Sequence, residues 1–146
     1  MESAGKAGVL IADDHPDVVR ALTALLSVQP DFTPLGSART SGELMDAVAM
    51  RHPDIVLVDW ELPGFDPRQG VAALRRDGHG PQIVAMSGYV LAARAAIAAG
   101  ADLFVSKTDP PDHVLATLRR LALGPIPAPN GHRRGPRATT GNVAGL

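Results

Sequence analysis

Ile55-Val56-Leu57-Val58 is an unbroken apolar run that stops abruptly at Asp59 and the turn signal Trp60-Glu61-Leu62-Pro63-Gly64. Such a run has no polar face to give to water. It therefore demands a strand buried on both sides, a condition met in parallel sheets covered by helices. Val9-Leu10-Ile11-Ala12, Ile83-Val84-Ala85-Met86 and Leu103-Phe104-Val105 repeat the signature. Phe32-Thr33-Pro34-Leu35-Gly36 is a weaker version, and its proline removes a ladder donor and assigns it to an edge.

Helical patterns separate these strands. Pro16 suits a first helical position, and Val18, Leu22, Leu25 and Leu26 recur at helical spacing to about Val28. Thr40 or Ser41 caps a second helix, with Glu43 near the capping-box position, Leu44, Ala47 and Val48 facing inward, and His52-Pro53 as its end. A long polar loop, 65–70, leads to a short helix from about Val71 to Arg76. An alanine-rich helix follows from about Val90 to Ala99, stopped by Gly100. The last helix starts at Asp109-Pro110-Pro111 and carries Val114, Leu115, Leu118 and Leu121 as its stripe. Five β-α alternations imply an α/β fold, a doubly wound five-stranded parallel sheet in the flavodoxin-like order 2-1-3-4-5 with right-handed crossovers.

With 146 residues there is room for one core, assigned to 1–123. From 124 to 146 the pattern stops. Pro125, Pro127, Pro129, Pro136 and five glycines dilute the apolar content, so this stretch reads as a flexible tail or linker. Its three arginines make it +3 against −4 for the rest (−4 + 3 = −1), and nothing in the body suggests a nucleic-acid surface. The chain has no cysteine, hence no disulfide framework or thiolate metal site. With neither a signal-peptide pattern nor a membrane-length apolar run, a cytoplasmic protein is expected.

In a doubly wound sheet, chemistry gathers beyond the carboxyl ends of the strands. Asp13 and Asp14 follow strand one, Asp59 ends strand three, Ser87 ends strand four and Lys107 follows strand five. Taken singly, each is an ordinary turn or cap residue. Jointly they line one crevice. Three crowded carboxylates repel unless a cation is present, and an all-oxygen donor set suits Mg²⁺. Asp59 could then act as nucleophile toward a phosphoryl group, with Mg²⁺, the Lys107 ammonium and the Ser87 hydroxyl each neutralising one equatorial oxygen. His15 could serve as a metal ligand, but beside Pro16 it is expected to face solvent or pack on the helix, and His52, His79 and His113 to be loop and surface residues.

These residues, with Leu62-Pro63-Gly64, Ser87-Gly88 and the stretch Gly100-Ala101-Asp102-Leu103-Phe104-Val105-Ser106-Lys107, resemble the receiver domains of two-component response regulators, the CheY-like fold, over about residues 7–123. The resemblance implies that Asp59 is the phosphoacceptor from a histidine kinase or phosphotransfer protein. It implies Asp14, Asp59 and the Glu61 backbone carbonyl as Mg²⁺ ligands, with Asp13 helping through water, and Ser87 and Phe104 as a switch pair. Asp13-Asp14-His15-Pro16 is most similar to receivers joined to a helix-turn-helix DNA-binding domain. Such a domain is not an enzyme in the ordinary sense. Self-phosphorylation from small donors and autodephosphorylation are the chemistry left to it. Its output face is expected at helix four, strand five and helix five, and homodimerisation through that face or through helices one and five; no nucleic acid or membrane is expected to bind the domain itself.

Three departures stand out. Pro67-Arg68-Gln69 is an apparent insertion between Phe65-Asp66 and Gly70, Thr108 follows the lysine where proline is common, and Phe104 replaces the commoner tyrosine. Competing readings fit less well. A flavodoxin needs a phosphate-cradling loop after strand one, where this chain has two aspartates. A metal-dependent aspartyl phosphatase carries its nucleophile on the first strand. A phosphorylation-independent receiver that works as an interaction module usually lacks an acid or the lysine, and this chain has all of them.

Overall fold

The structure, a computed structural model, describes residues 5–122 except 77 and 79. The elements run β1 (Ala7–Ala12), α1 (Pro16–Ser27), β2 (Phe32–Ala38), α2 (Ser41–Arg51), β3 (Ile55–Asp59), α3 (Pro67–Leu74), β4 (Gln82–Ser87), α4 (Ala92–Ala98), β5 (Leu103–Ser106) and α5 (Pro111–Ala122). All strands pair in parallel, in the order β2-β1-β3-β4-β5. The doubly wound α/β sheet is thus as expected, with β2 on an edge. The tail assigned to 124–146 lies outside the described residues.

Strand side chains alternate between two cores. Leu10, Val56, Val58, Ile83 and Ala85 pack toward Leu44 of α2, Val71 and Leu74 of α3 and Ala96 of α4. Val9, Ile11, Ile55, Leu57, Val84 and Met86 pack toward Leu26 of α1 and Val114, Leu115 and Leu118 of α5. Every residue of β3 is buried, as a run without polar alternation requires. In β2 the register slips between Val9↔Pro34 and Ile11↔Ser37; Gly36, at φ 113°, absorbs the extra residue where a side chain would be strained.

Helix ends follow local chemistry, with two corrections. Thr40 caps α2 by accepting from the Glu43 N–H, and the Glu43 carboxylate accepts in turn from the Arg39 N–H. The stretch read as a long polar loop is helical from Pro67: the Asp66 carboxylate accepts from the Arg68 N–H at 3.2 Å and Pro67 takes the first position, so α3 begins four residues earlier than the apolar pattern indicates and ends at Leu74. Helix α4 is shorter than read, Ala92–Ala98, because residues 89–91 form a turn rather than a capped first turn. Among the described residues no helix is long and apolar enough to cross a membrane.

Candidate functional site

The carboxyl ends of β1, β3, β4 and β5 meet at one edge of the sheet. Asp13 and Asp59 are completely buried. Each is held by the same local device. The Asp13 Oδ1 accepts from the backbone N–H of His15 at 2.8 Å, and the Asp59 Oδ1 accepts from that of Glu61 at 2.9 Å. These bonds close tight turns right after their strands and leave the second oxygen of each carboxylate free to face the crevice.

Lys107 meets them there. Its ammonium lies 2.9 Å from Asp13 Oδ2 and 3.0 Å from Asp59 Oδ2. The lysine backbone N–H donates to the Ser87 carbonyl, tying the ends of β4 and β5 together. Burial alone would push the lysine pKa down, but the two carboxylates outweigh it and hold the ammonium above its ordinary value. Burial likewise works to raise the Asp13 carboxyl, and the bonds from Lys107 and His15 outweigh it, leaving Asp13 below the usual carboxylate value. The Oδ2 atoms of Asp13 and Asp59 are buried and accept no hydrogen bond of good geometry, although the ammonium faces both.

Oxygens of Asp13, Asp14 and Asp59 and a nitrogen of His15 come within 4.8 Å of one another. Buried carboxylate oxygens left without hydrogen bonds, with Asp14 partly exposed at the mouth, fit a hard divalent cation such as Mg²⁺.

Ser87 is buried at the end of β4, but its hydroxyl does not point to Asp59. It donates to the Glu61 carboxylate, at 3.1 and 3.3 Å, and accepts from the Tyr89 N–H at 3.0 Å. Burial raises the Glu61 pKa, helped by the nearby Asp59 charge and opposed by the Ser87 bond. Phe104 is half-buried in β5 and packs on the α2–α3–α4 core. The stretch 65–70 stands beside the site: Phe65 is buried, meets Trp60 edge to face at 5.4 Å between ring centres, and covers Gly70.

The structure thus brings together Asp13, Asp14, Asp59 and Lys107, and holds Ser87 next to them on Glu61. Two side chains do more than the sequence indicates. Glu61 was expected to matter through its carbonyl alone. His15 was assigned to solvent or to the helix surface; the ring is 59% exposed, yet its Nδ1 lies 2.7 Å from Asp13 Oδ1, 3.4 Å from Asp14 Oδ1 and 3.6 Å from Asp59 Oδ2. The bond to Asp13 holds its pKa above the ordinary value. The legible signal was the aspartate two residues before each, since a turn closed on that carboxylate folds residue 15 or 61 back over the site.

A family model described as "Response regulator receiver domain" matches residues 9–119. The nitrate/nitrite response regulator protein NarL of Escherichia coli (strain K12) is 28% identical over 126 residues, 85% of this chain and 58% of NarL, so the chain spans little more than half the length of that relative. The receiver domain of the putative response regulator NarL from Mycobacterium tuberculosis superposes with a TM-score of 0.76 at 24% identity, over 83% of this chain and 99% of the other, which supports the fold. The structure of CheY6 with the P1 domain of CheA3 from R. sphaeroides gives a TM-score of 0.70 at 24% identity, over 83% and 100%.

Proposed function

The chain belongs to the response regulator receiver domain family, and on that premise we propose that Asp59 accepts a phosphoryl group from a phosphohistidine of a histidine kinase or phosphotransfer protein in the cytoplasm. The observation that carries the reading is the half-buried Lys107 ammonium set between the buried Asp13 and Asp59, at 2.9 and 3.0 Å. A cation so placed is wasted in a merely structural turn, whereas phosphoryl transfer needs charge neutralised around an in-line displacement.

An Asp59 carboxylate oxygen forms the new O–P bond as the N–P bond of the donor breaks, its electron pair leaving on the imidazole nitrogen. Asp14, Asp59 and the Glu61 carbonyl would hold Mg²⁺, with Asp13 acting through water; the ion, when bound, neutralises charge on a phosphoryl oxygen. Lys107 neutralises a second oxygen. Ser87 donates to a third, for which its hydroxyl must leave the Glu61 carboxylate. Phe104 then turns inward, and the α4–β5–α5 face changes shape. That face exposes Tyr89, Val90, Leu91 and Ile97, apolar surface suited to a second copy of the chain, as is the groove between α1 and α5. That CheY6 is found in complex with the P1 domain of CheA3 supports a protein domain of that kind as partner. A phosphorylation-independent module would not need both acids and the lysine in this arrangement.

The test is intact mass after incubation with acetyl phosphate and Mg²⁺. The expected result is a gain of one phosphoryl group, lost on chelation and in Asp59→Asn. No gain, with a phosphorylated kinase failing as well, overturns the reading. Light scattering with and without a phosphoryl mimic checks dimerisation, which a monomer in both states excludes.

A further inference from the structure

We propose that the His15 imidazole is a further protein donor to the cation at this site, shifting its preference toward borderline transition ions such as Co²⁺ and Ni²⁺ relative to Mg²⁺. The inference rests on the reading of Asp14 and Asp59 as cation ligands and goes beyond it, because an all-oxygen site gives such ions no nitrogen donor.

Geometry carries it. An ion with octahedral ligands at about 2.1 Å has neighbouring donors about 3 Å apart. His15 Nδ1 stands 3.4 Å from Asp14 Oδ1 and 3.6 Å from Asp59 Oδ2, close to that spacing from one oxygen of each carboxylate before any ion draws them in. The ring is brought there by the backbone rather than by chance of rotamer. The Asp13 carboxylate accepts from the His15 N–H at 2.8 Å, and Pro16 fixes the chain direction on leaving the turn. A second, independent observation points to a cation in the same place: Asp59 Oδ2, 3.6 Å from Nδ1, is buried and accepts no hydrogen bond of good geometry, and what faces it is the Lys107 ammonium, 3.0 Å from that oxygen and 3.4 Å from Nδ1.

At 2.7 Å from a carboxylate oxygen, Nδ1 carries the ring proton and donates it to Asp13. Binding an ion requires the other tautomer, with the proton on Nε2 and the Nδ1 lone pair free. The ring is 59% exposed, so water can take up the Nε2 proton's hydrogen bond, while the 2.7 Å bond from Nδ1 to the buried Asp13 carboxylate is given up to the ion. Asp13 does not become an orphan, since it keeps the backbone N–H of His15 and the Lys107 ammonium. Carboxylate and carbonyl oxygens suit Mg²⁺, and imidazole nitrogen suits the later first-row ions; adding one nitrogen should therefore weight affinity along that series.

The experiment is a set of titrations of the full chain with Mg²⁺, Co²⁺ and Ni²⁺, read by Trp60 emission, for wild type, His15→Ala and His15→Gln. Asp59→Asn separates binding at this site from binding by histidines elsewhere. The expected result is a Ni²⁺-to-Mg²⁺ affinity ratio that falls by about tenfold or more in both His15 variants, while Mg²⁺ affinity moves much less. The visible absorption of bound Co²⁺ should shift between wild type and His15→Ala as a nitrogen donor is lost. Retained Mg²⁺ binding with an unchanged ratio and an unchanged Co²⁺ spectrum overturns the role of His15. Failure of wild type to bind any of the three ions, or binding unaffected by Asp59→Asn, overturns the cation-site reading itself.

Discussion

Gly70 is the position where local helix preference and tertiary packing make opposite demands. It lies inside α3, where alanine is favoured over glycine by about 1 kcal/mol. A methyl group there would overlap the Phe65 ring, whose third-nearest atom to the added carbon is still only 2.8 Å away. Two responses are open. The ring and helix can shift within a filled core, at about 1–3 kcal/mol for overpacking. Or Phe65, now only 8% exposed, can be expelled, losing about 1.5–3 kcal/mol of burial and about 1 kcal/mol from its edge contact with Trp60. The cheaper response governs, so after the helical gain Gly70→Ala should cost about 0–2 kcal/mol net. Urea unfolding followed by Trp60 emission measures it, and the native emission should also move, because Phe65 is the ring against Trp60. Gly42→Ala is the control: it lies in α2, its added carbon meets only Thr40 Oγ1 at 3.9 Å, and it should gain about 0.5 kcal/mol. If Gly70→Ala is more stable than wild type and leaves the native emission unmoved, the packing of the 65–70 segment on the site is misjudged.

Asp13 is held below its ordinary 3.8 and Lys107 above its ordinary 10.5. A depressed acid stabilises fully above its unfolded value and loses that contribution as pH falls through the folded one; a raised base stabilises fully below its unfolded value and loses it as pH rises through the folded one. Thermal melts without divalent metal should therefore be flat with respect to this pair between about pH 4 and 10 and decline outside it; in Lys107→Met the decline above pH 10 attributable to the lysine should vanish. The same variant, by stranding two buried carboxylates, should lose about 3 kcal/mol at pH 7 in chelator, measured by urea unfolding, and recover part of it on addition of Mg²⁺. Arg119 forms a two-pronged pair with Asp31, bonds Gln29 and covers the Phe32 ring, so Arg119→Ala should lower the melting temperature, and more so at low salt. Ser87→Ala should still gain a phosphoryl group on Asp59 but lose the accompanying change in α4 amide exchange; an unaltered exchange response removes Ser87 from the switch.

The strands were legible because burial on both faces leaves a mark that needs no tertiary context: Ile55–Val58 can be read as a central strand from its composition alone. The strand-end acids and Lys107 were legible for a related reason, since topology sends every strand end to one edge. The boundaries that were misread have a common cause. Pro67-Arg68-Gln69 carries no apolar periodicity, so only the cap geometry of Asp66 and the φ preference of Pro67 mark it as helical. Tyr89, Val90 and Leu91 look like helix by composition, yet without a capping side chain α4 starts only at Ala92. The side-chain roles of His15 and Glu61 are harder to read, because what brings them to the site is a turn closed by an aspartate two residues earlier. The aspartates mark such turns in the sequence, but where the side chain two residues on comes to lie follows only from the traced backbone.

The two core layers distribute reinforcement unevenly along the path from Asp59 to the far edge of the sheet. β3 is hydrogen-bonded on both sides and buried throughout, so its amides should exchange with solvent only when the whole domain opens. Helix α4 spans seven residues, lacks a side-chain cap and buries only Ala96, with Leu91 and Ile97 left outside. Its alanines offer little area to hold it down, and local opening there should be frequent and cheap. The chain therefore joins a rigid anchor for Asp59, the proposed acceptor, to an easily loosened helix, with Ser87 at the seam. A small rearrangement at the seam has to work against only the weaker of the two.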